Sequence, residues 1–261
     1  MSRRDVLFVS ILLFLGLLVA PQSVEAGTLI GSGLGVLYDV DHVTGLASNP
    51  RDTGGRGIRI AFGNGTLYGE SALHLYSIEV ENGGTTSIGS LGGLDASFSV
   101  QDLAWDRTTD MLFALVHLGG TTSDFLYAVD ADTGDATEIG QLDAAYTTMA
   151  FRGDGTLFAL HGTDDILGLV DKTSAETLSS VPVQGGVIPG AMSFDAADEL
   201  YVAARVGDDL GVLHKLDRYT GVLTPIGSTG VDVGLTSMAY IPEPGTLVLL
   251  SAGLLSFRRR K

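Results

Sequence analysis

The sequence predicts an all-β protein built from a repeated unit of four short strands, and both composition and periodicity indicate this. The 261 residues include 36 glycines and only 18% charged residues. Short runs of alternating apolar residues lie between turn signals rich in glycine, aspartate and threonine, a pattern typical of hairpins. The chain contains no cysteine, so neither a disulfide nor a thiolate metal site can hold the fold together.

The repeat is marked by an aromatic residue that follows a small one at the end of a strand. These pairs recur every 43 or 46 residues, at Ala61-Phe62, Ala104-Trp105, Ala150-Phe151, Ser193-Phe194 and Ala239-Tyr240. A second strand follows a tight turn, at Leu67-Tyr68, Leu112-Phe113, Leu157-Phe158 and Leu200-Tyr201. A period of this length indicates an architecture built from repeated units.

An acidic hairpin turn is the third mark of each unit. It begins at Asp41, Glu79, Asp130, Asp171 and Asp217, and in four of the five cases a glycine follows four residues later. The acidic side chain can bond the turn backbone, and glycine adopts positive φ without a Cβ clash. Ala175 replaces that glycine after Asp171, so this hairpin is predicted to use a different turn.

A unit of this length with four strands is typical of a β-propeller blade. In residues 100–142 the inner strand ends at Trp105, and strands over 111–117, 125–130 and 136–142 follow. Four complete units begin near Gly57, Val100, Tyr146 and Gly190.

The two remaining fragments predict how the ring closes. Residues 27–41 align without a gap onto residues 65–79, so the body begins at the second strand of a blade. Residues 235–240 have the pattern of a first strand with nothing after it. Paired in one blade, the two fragments leave no open edge. The sequence therefore predicts a five-bladed β-propeller over residues 27–241.

The clearest single unit, residues 189–227, resembles the YVTN-type bacterial propeller repeat. Pro189-Gly190 begins the unit, Leu200-Tyr201-Val202-Ala203 forms a strand, and Asp217 with Thr220-Gly221 forms the hairpin. This resemblance implies a fold and no particular activity.

The N-terminus has the pattern of a secretory signal peptide over residues 1–26. Arg3 and Arg4 precede an apolar run over residues 6–20, and small residues flank the expected cleavage between Ala26 and Gly27. Signal peptidase is therefore an expected partner. An uncleaved membrane anchor is the alternative, but the apolar run is short for a span of about 20 residues.

The C-terminus, residues 242–261, combines a prolyl breaker, a short apolar run and a basic end. Pro242-Glu243-Pro244 precedes residues 245–257, and Arg258-Arg259-Arg260-Lys261 follows. This arrangement resembles the PEP-CTERM sorting domain of Gram-negative bacteria. The resemblance implies a transmembrane helix with its basic end in the cytoplasm and processing by an exosortase near the Pro-Glu-Pro. An ordinary tail anchor is the alternative.

The charge of residues 27–241 excludes nucleic acid as a partner. This body carries 28 acidic and 9 basic residues, a net charge of −19, and would repel polyanions. The turn carboxylates do not form the Asp-rich loop that calcium requires, so a structural role is expected for them. No metal or other cofactor is expected.

Candidate binding residues lie on the predicted channel face, three positions before each inner-strand aromatic. They are Arg59, Asp102, Thr148, Ala191 and Ser237, of which the four polar ones are the candidates. Strand alternation places them opposite the aromatics. The alternative is that they are satisfied structural groups, with Arg59 and Asp102 forming an ion pair between adjacent blades.

The five histidines are His42, His74, His117, His161 and His214. His117 and His161 end equivalent strands of adjacent blades and could approach each other at one rim. A metal or a general base would need further partners there, and only Asp164 and Asp165 are close in sequence. The chain lacks Gly-x-Ser-x-Gly, His-Glu-x-x-His and Walker motifs, so no catalytic residues are predicted.

These observations favour an exported, non-enzymatic binding or structural module at the cell surface or in the extracellular matrix. The PEP-CTERM resemblance implies association with exopolysaccharide, and another surface protein is a possible partner. The rival hypothesis is a propeller enzyme, a lactonase or a sugar dehydrogenase, with its site in the central channel. That site would need several converging carboxylates or basic groups, whereas the channel positions offer one Asp and one Arg.

Overall fold

The computed structural model describes residues 27–243, except 57, 163 and 187, and leaves out the side chain of Leu210. The predicted signal peptide and the sorting segment from Pro244 onward lie outside the described residues. The described part consists of strands and turns, and within it no helix is long and apolar enough to cross a membrane.

Twenty strands, numbered in chain order, form five antiparallel sheets of four. Blade 1 contains β1 (Gly27–Gly33), β2 (Val36–Val40), β3 (Ala47–Asp52) and β20 (Ser237–Pro242). Blade 2 contains β4 (Arg59–Gly63), β5 (Thr66–Ser71), β6 (His74–Ile78) and β7 (Thr85–Ser90). Blade 3 contains β8 (Phe98–Asp106), β9 (Met111–Leu118), β10 (Asp124–Val129) and β11 (Ala136–Gln141).

Blade 4 contains β12 (Tyr146–Phe151), β13 (Leu157–His161), β14 (Ile166–Val170) and β15 (Thr177–Pro182). Blade 5 contains β16 (Ile188–Phe194), β17 (Leu200–Val206), β18 (Asp209–Leu216) and β19 (Leu223–Ser228). The predicted all-β five-bladed propeller is therefore confirmed, as are the four strands expected within residues 100–142.

The inner strands β4, β8, β12, β16 and β20 surround the central axis and define two faces. We call the face where they begin the start face and the face where they end the end face. Successive strands of a blade are antiparallel, so β1 begins on the end face. The five acidic hairpin turns lie on the end face, and the β9–β10 and β13–β14 turns lie on the start face.

The ring closes in blade 1, where the last strand pairs with the first. β20 is the innermost strand of this sheet, and its register runs from Gly27 opposite Pro242 to Ser32 opposite Ser237. The complementary fragments were therefore correctly assigned. The first strand predicted over residues 235–240 lies instead at residues 237–242, because Ile241 and Pro242 continue the pairing. Proline is tolerated here because β20 is an edge strand of its sheet.

The repeated aromatic residues form the contacts between blades. Trp105 stacks on Tyr68 of the preceding blade, with ring centroids 5.5 Å apart and planes 4° from parallel. Phe151 contacts Phe113 at 4.9 Å, and Phe194 contacts Phe158 at 5.5 Å. The two sequence marks of the repeat are therefore partners across three of the five blade boundaries, where the buried side chains make up the core.

The turn at Ala175 corrects a second expectation. Its amide donates to the Asp171 carbonyl at 2.8 Å, as the amides of Gly134 and Gly221 do to Asp130 and Asp217. Ala175 itself adopts a φ of +62°. The hairpin therefore uses the same turn as the others, and an alanine occupies the left-handed conformation that glycine adopts at less cost. Its methyl group is buried between blades 3 and 4, which offsets part of that cost.

Candidate functional site

The polar residues predicted to line the channel meet at its centre around the carboxylate of Asp102, which is 1% exposed. Its Oδ2 accepts hydrogen bonds from the Thr148 hydroxyl and, at 3.0 Å, from the Met149 amide. Its Oδ1 accepts from the Ser237 hydroxyl at 2.7 Å and from the Leu103 amide at 2.9 Å. Three inner strands, β8, β12 and β20, are thereby joined at one carboxylate that is closed off from solvent.

Arg59 does not form the direct ion pair that the sequence suggested. Its Nε donates to the Val100 carbonyl at 3.3 Å and its Nη1 to the Thr236 carbonyl at 2.9 Å. Among the ion pairs of the described residues, none joins Arg59 to Asp102. These two carbonyls belong to the neighbouring inner strand and to the chain just before β20, so backbone acceptors closer to the guanidinium replace the carboxylate.

Two buried carboxyl groups near the channel have raised pKa values. Burial raises the pKa of Asp102 to about 6, although the Thr148, Met149 and Ser237 hydrogen bonds and the charge of Arg59 lower it. Burial raises the pKa of Glu70 to about 7, against the lowering effects of the Leu73 amide and Arg59. Both groups therefore take up a proton more readily in the folded chain than in the unfolded one.

We expect the propeller to be more stable near pH 5 than near pH 7.5. Because the folded pKa of Asp102 exceeds its unfolded value of 3.8, its stabilising effect is complete below that value and is lost as the pH rises through about 6. A shift of this size corresponds to roughly 3 kcal/mol in the free energy of unfolding. Urea titrations across this pH range measure how the free energy of unfolding changes with pH.

The double variant Asp102→Asn with Glu70→Gln is the control, and it should flatten the pH dependence above pH 5. Below about pH 4 we expect stability to fall again, because hydrogen bonds within the turns lower the pKa values of Asp41, Asp130 and Asp217. A free energy of unfolding that rises from pH 5 to pH 7.5 in the wild type would contradict this assignment.

A cavity of about 150 Å³ opens where the channel reaches the end face. Its walls include the apolar side chains of Met149, Met192 and Met238. Arg107 lies at the mouth, where its Nη2 donates to the Tyr240 carbonyl at 3.4 Å and its guanidinium lies 5.9 Å from the Tyr240 ring. The cavity therefore combines a methionine-rich wall with one cation already engaged by the closing strand.

A second opening lies on the start face between blades 3 and 4, and it brings His117 and His161 together. We call it the rim cleft. It has a volume of about 260 Å³ and is lined by Gln101, His117, Asp124, Ala145, Tyr146, Thr147, His161 and Gly162. The expected approach of the two histidines is thus confirmed.

The partner of His117 is Asp124, which the sequence analysis missed. The His117 Nδ1 lies 2.7 Å from the Asp124 Oδ1, and the two residues face each other across β9 and β10. Asp164 is near His161, as expected, with its amide donating to the His161 Nδ1 at 2.9 Å. The strand register could have revealed Asp124. This residue begins the strand that runs antiparallel to the one that His117 ends, so the two are opposite each other.

The remaining histidines have structural or surface settings. His74 hydrogen-bonds the Ser87 hydroxyl at 2.7 Å and lies beside the Tyr76 ring. His214 is 4% exposed, its Nδ1 lies 3.0 Å from the Val212 carbonyl, and burial lowers its pKa. His42 is exposed and contacts the Tyr201 ring edge-on.

Similarity to a known family is found at the C-terminal end of the chain, where the last strand leaves the propeller. Residues 241–261 match the PEP-CTERM protein-sorting motif. The chain therefore joins a five-bladed β-propeller to a PEP-CTERM sorting motif. No curated protein matches it.

Solved structures similar to this chain share its propeller fold at low sequence identity. A nidogen/laminin complex superimposes with a TM-score of 0.54 at 10% identity, covering 83% of this chain and 98% of the other. A protein of unknown function from Bacteroides thetaiotaomicron gives 0.52 at 14%, covering 84% and 62%. A calcium-binding protein, regucalcin, from Agrobacterium tumefaciens gives 0.51 at 13%, covering 83% and 80%.

The residues predicted to take part in processing lie at one place on the end face of the propeller. Gly27, the predicted mature N-terminus, begins β1, and its strand partner Pro242 begins the Pro-Glu-Pro. Glu243 is exposed beyond the strand, whereas Ala26 and Pro244 lie outside the described residues. The two predicted processing points are therefore adjacent in space although they are 215 residues apart in the sequence.

Proposed function

We propose that this protein is exported and sorted by an exosortase to act as a non-enzymatic binding or structural module at the cell surface or in the extracellular matrix. The observation that carries the proposal is the PEP-CTERM motif attached to a closed propeller. Signal peptidase would release Gly27, and the exosortase would process the chain near Pro242, Glu243 and Pro244 after transient anchoring in the inner membrane. Exopolysaccharide or another surface protein is the expected partner.

The centre of the channel supports a structural role for its polar residues. Asp102, Thr148 and Ser237 are buried and hydrogen-bond one another. A substrate in the channel would have to break these bonds, and each buried group left unpaired costs about 1–3 kcal/mol. The candidates Arg59, Asp102, Thr148 and Ser237 are therefore better explained as groups that join the inner strands.

A propeller enzyme is the second candidate, and the end-face cavity is where its site would lie. The cavity is lined by Arg107, Asp195 and Asp198, and the fold is also that of a calcium-binding regucalcin. At 13% identity this likeness concerns fold alone. Lactone hydrolysis or sugar oxidation by the purified protein, abolished by Asp195→Asn, would favour the enzyme over the binding module.

The sorting proposal is tested by replacing Pro242, Glu243 and Pro244 with alanine in the native host. We expect the triple variant to remain in the membrane fraction with its C-terminal segment attached. Two prolines around one glutamate favour an extended backbone that a membrane protease can engage. Mass spectrometry of the membrane and culture fractions identifies both termini.

The matched control is Ala substitution of Asp130, Asp132 and Asp135, three residues of another end-face turn that has no part in sorting. We expect this control to be released like the wild type. Normal release of the Pro-Glu-Pro variant would mean that the exosortase does not read these residues, and a plain tail anchor would then replace the sorting hypothesis.

A further inference from the structure

The rim cleft contains a buried carboxylate with one oxygen that accepts no hydrogen bond. Asp124 is 1% exposed, and its Oδ1 is paired with the His117 Nδ1. Its Oδ2 is buried without a hydrogen-bond partner. The Tyr146 amide lowers the pKa of this carboxyl but makes no hydrogen bond to the Oδ2, so a further donor would stabilise that buried oxygen.

The side chains of the rim cleft present several hydrogen-bond acceptors. In the tautomer in which the His117 Nδ1 donates to Asp124, the His117 Nε2 is an acceptor, and this side chain is 32% exposed. The Gln101 Nε2 donates to the Ser99 hydroxyl at 3.0 Å, which leaves the Gln101 Oε1 as an acceptor. Three acceptors from neighbouring strands of blade 3 thus lie at one opening.

Charge selects a cationic donor over a neutral or anionic one. None of the described residues that line the cleft is a lysine or an arginine. Residues 27–241 carry a net charge of −19, so the long-range field attracts cations and repels anions. An ammonium group carries up to three N–H donors on one positive centre, which matches the acceptors found here.

We propose that the rim cleft binds a protonated amine, whose ammonium group is held by Asp124, His117 and Gln101. A volume of about 260 Å³ is roughly that of nine water molecules, enough for the end of an amine-bearing chain or for one small amine. A metal ion fits less well, because no group of three or more His, Asp or Glu side chains in the described residues could hold one. This inference gives a ligand class to the binding module proposed above and therefore rests on it.

The test titrates the body, residues 27–243, with butylamine and with butanol, its uncharged counterpart, and follows the histidine ring resonances by NMR. We expect butylamine to shift His117 and His161 with a dissociation constant on the order of millimolar, and butanol to shift neither. Asp124→Asn should weaken butylamine binding by about tenfold or more. Gln101→Glu, which adds a charge at the opening, should strengthen it.

Asp132→Asn is the matched control, because it removes the same charge from the end face and should leave butylamine affinity unchanged. A melting temperature is measured for every variant, and Gln101→Glu keeps the test decisive if Asp124→Asn fails to fold. Sorting is measured separately in the host, so a failure of amine binding is distinguishable from a failure of the sorting proposal.

Four results would overturn the proposal. Equal shifts with butanol would indicate an apolar pocket, and no shift with butylamine would indicate that ordered water satisfies Asp124. An unchanged or weaker affinity in Gln101→Glu would remove the electrostatic basis. Displacement of butylamine by an equal concentration of Ca²⁺ or Zn²⁺ would assign the cleft to a metal ion.

Discussion

Removal of β20 is expected to abolish the cooperative unfolding of the propeller. A chain ending at Val233 loses six paired positions of β1 and the buried side chains of Leu235, Met238 and Tyr240. It also loses the Ser237 hydroxyl, which bonds both Asp102 and the Ile60 amide. β1 would then be an open edge beside an open ring, which favours aggregation. Circular dichroism melts and size-exclusion chromatography measure both effects.

A chain ending at Glu243 is the matched control, because it retains all of β20 and lacks the rest of the sorting segment. We expect it to melt cooperatively as a monomer. A second control is a circular permutant, in which a short linker joins residue 242 to residue 27 and the new termini lie in another turn. If the chain ending at Val233 melts at the same temperature as these controls, ring closure by β20 does not determine stability.

Replacement of Trp105 by alanine is expected to lower the free energy of unfolding by about 3–5 kcal/mol. Trp105 is 8% exposed and stacks on Tyr68, and its ring also covers Gly63, where a Cβ would overlap it. The substitution would leave a void between blades 2 and 3, whose unfilled volume adds to the lost burial. Urea unfolding followed by circular dichroism measures the loss.

Tyr219→Ala provides the comparison, since this aromatic residue is 73% exposed. Its removal should change the free energy of unfolding by less than about 0.5 kcal/mol. Similar losses for the two variants would mean that the aromatic pairs between blades are not the main source of stability.

The blades could be predicted from the sequence because each strand carries its own marks. Trp105 and Tyr68 occupy fixed positions of the repeat, and their burial required only strand alternation. The same alternation placed Asp102, Thr148 and Ser237 together at the centre. It could not predict the partners of Arg59, because backbone carbonyls are present at every position and leave no mark in the sequence.

Two other features could not be predicted because they depend on residues that are close in space and not in sequence. Ala175 was assigned to a different turn because alanine disfavours positive φ, yet the pairing of β14 with β15 and the burial of its methyl group hold it there. Asp124 was overlooked because its partnership with His117 depends on register across a hairpin. At Ala175, tertiary packing outweighed the local preference of alanine for negative φ. At Asp124, the contact could be found only from the pairing of two strands.

In the anchored state proposed above, the pairing of Gly27 with Pro242 would also determine which way the molecule points. Both connections to the membrane would leave from one edge of blade 1, on the face that carries the acidic turns. After cleavage before Gly27, the body would stand on the C-terminal segment as a single stalk, with that negative face turned toward the lipid headgroups and repelled by them. The rim cleft, on the opposite face, would look away from the bilayer, where an arriving partner could reach it before the stalk is cut.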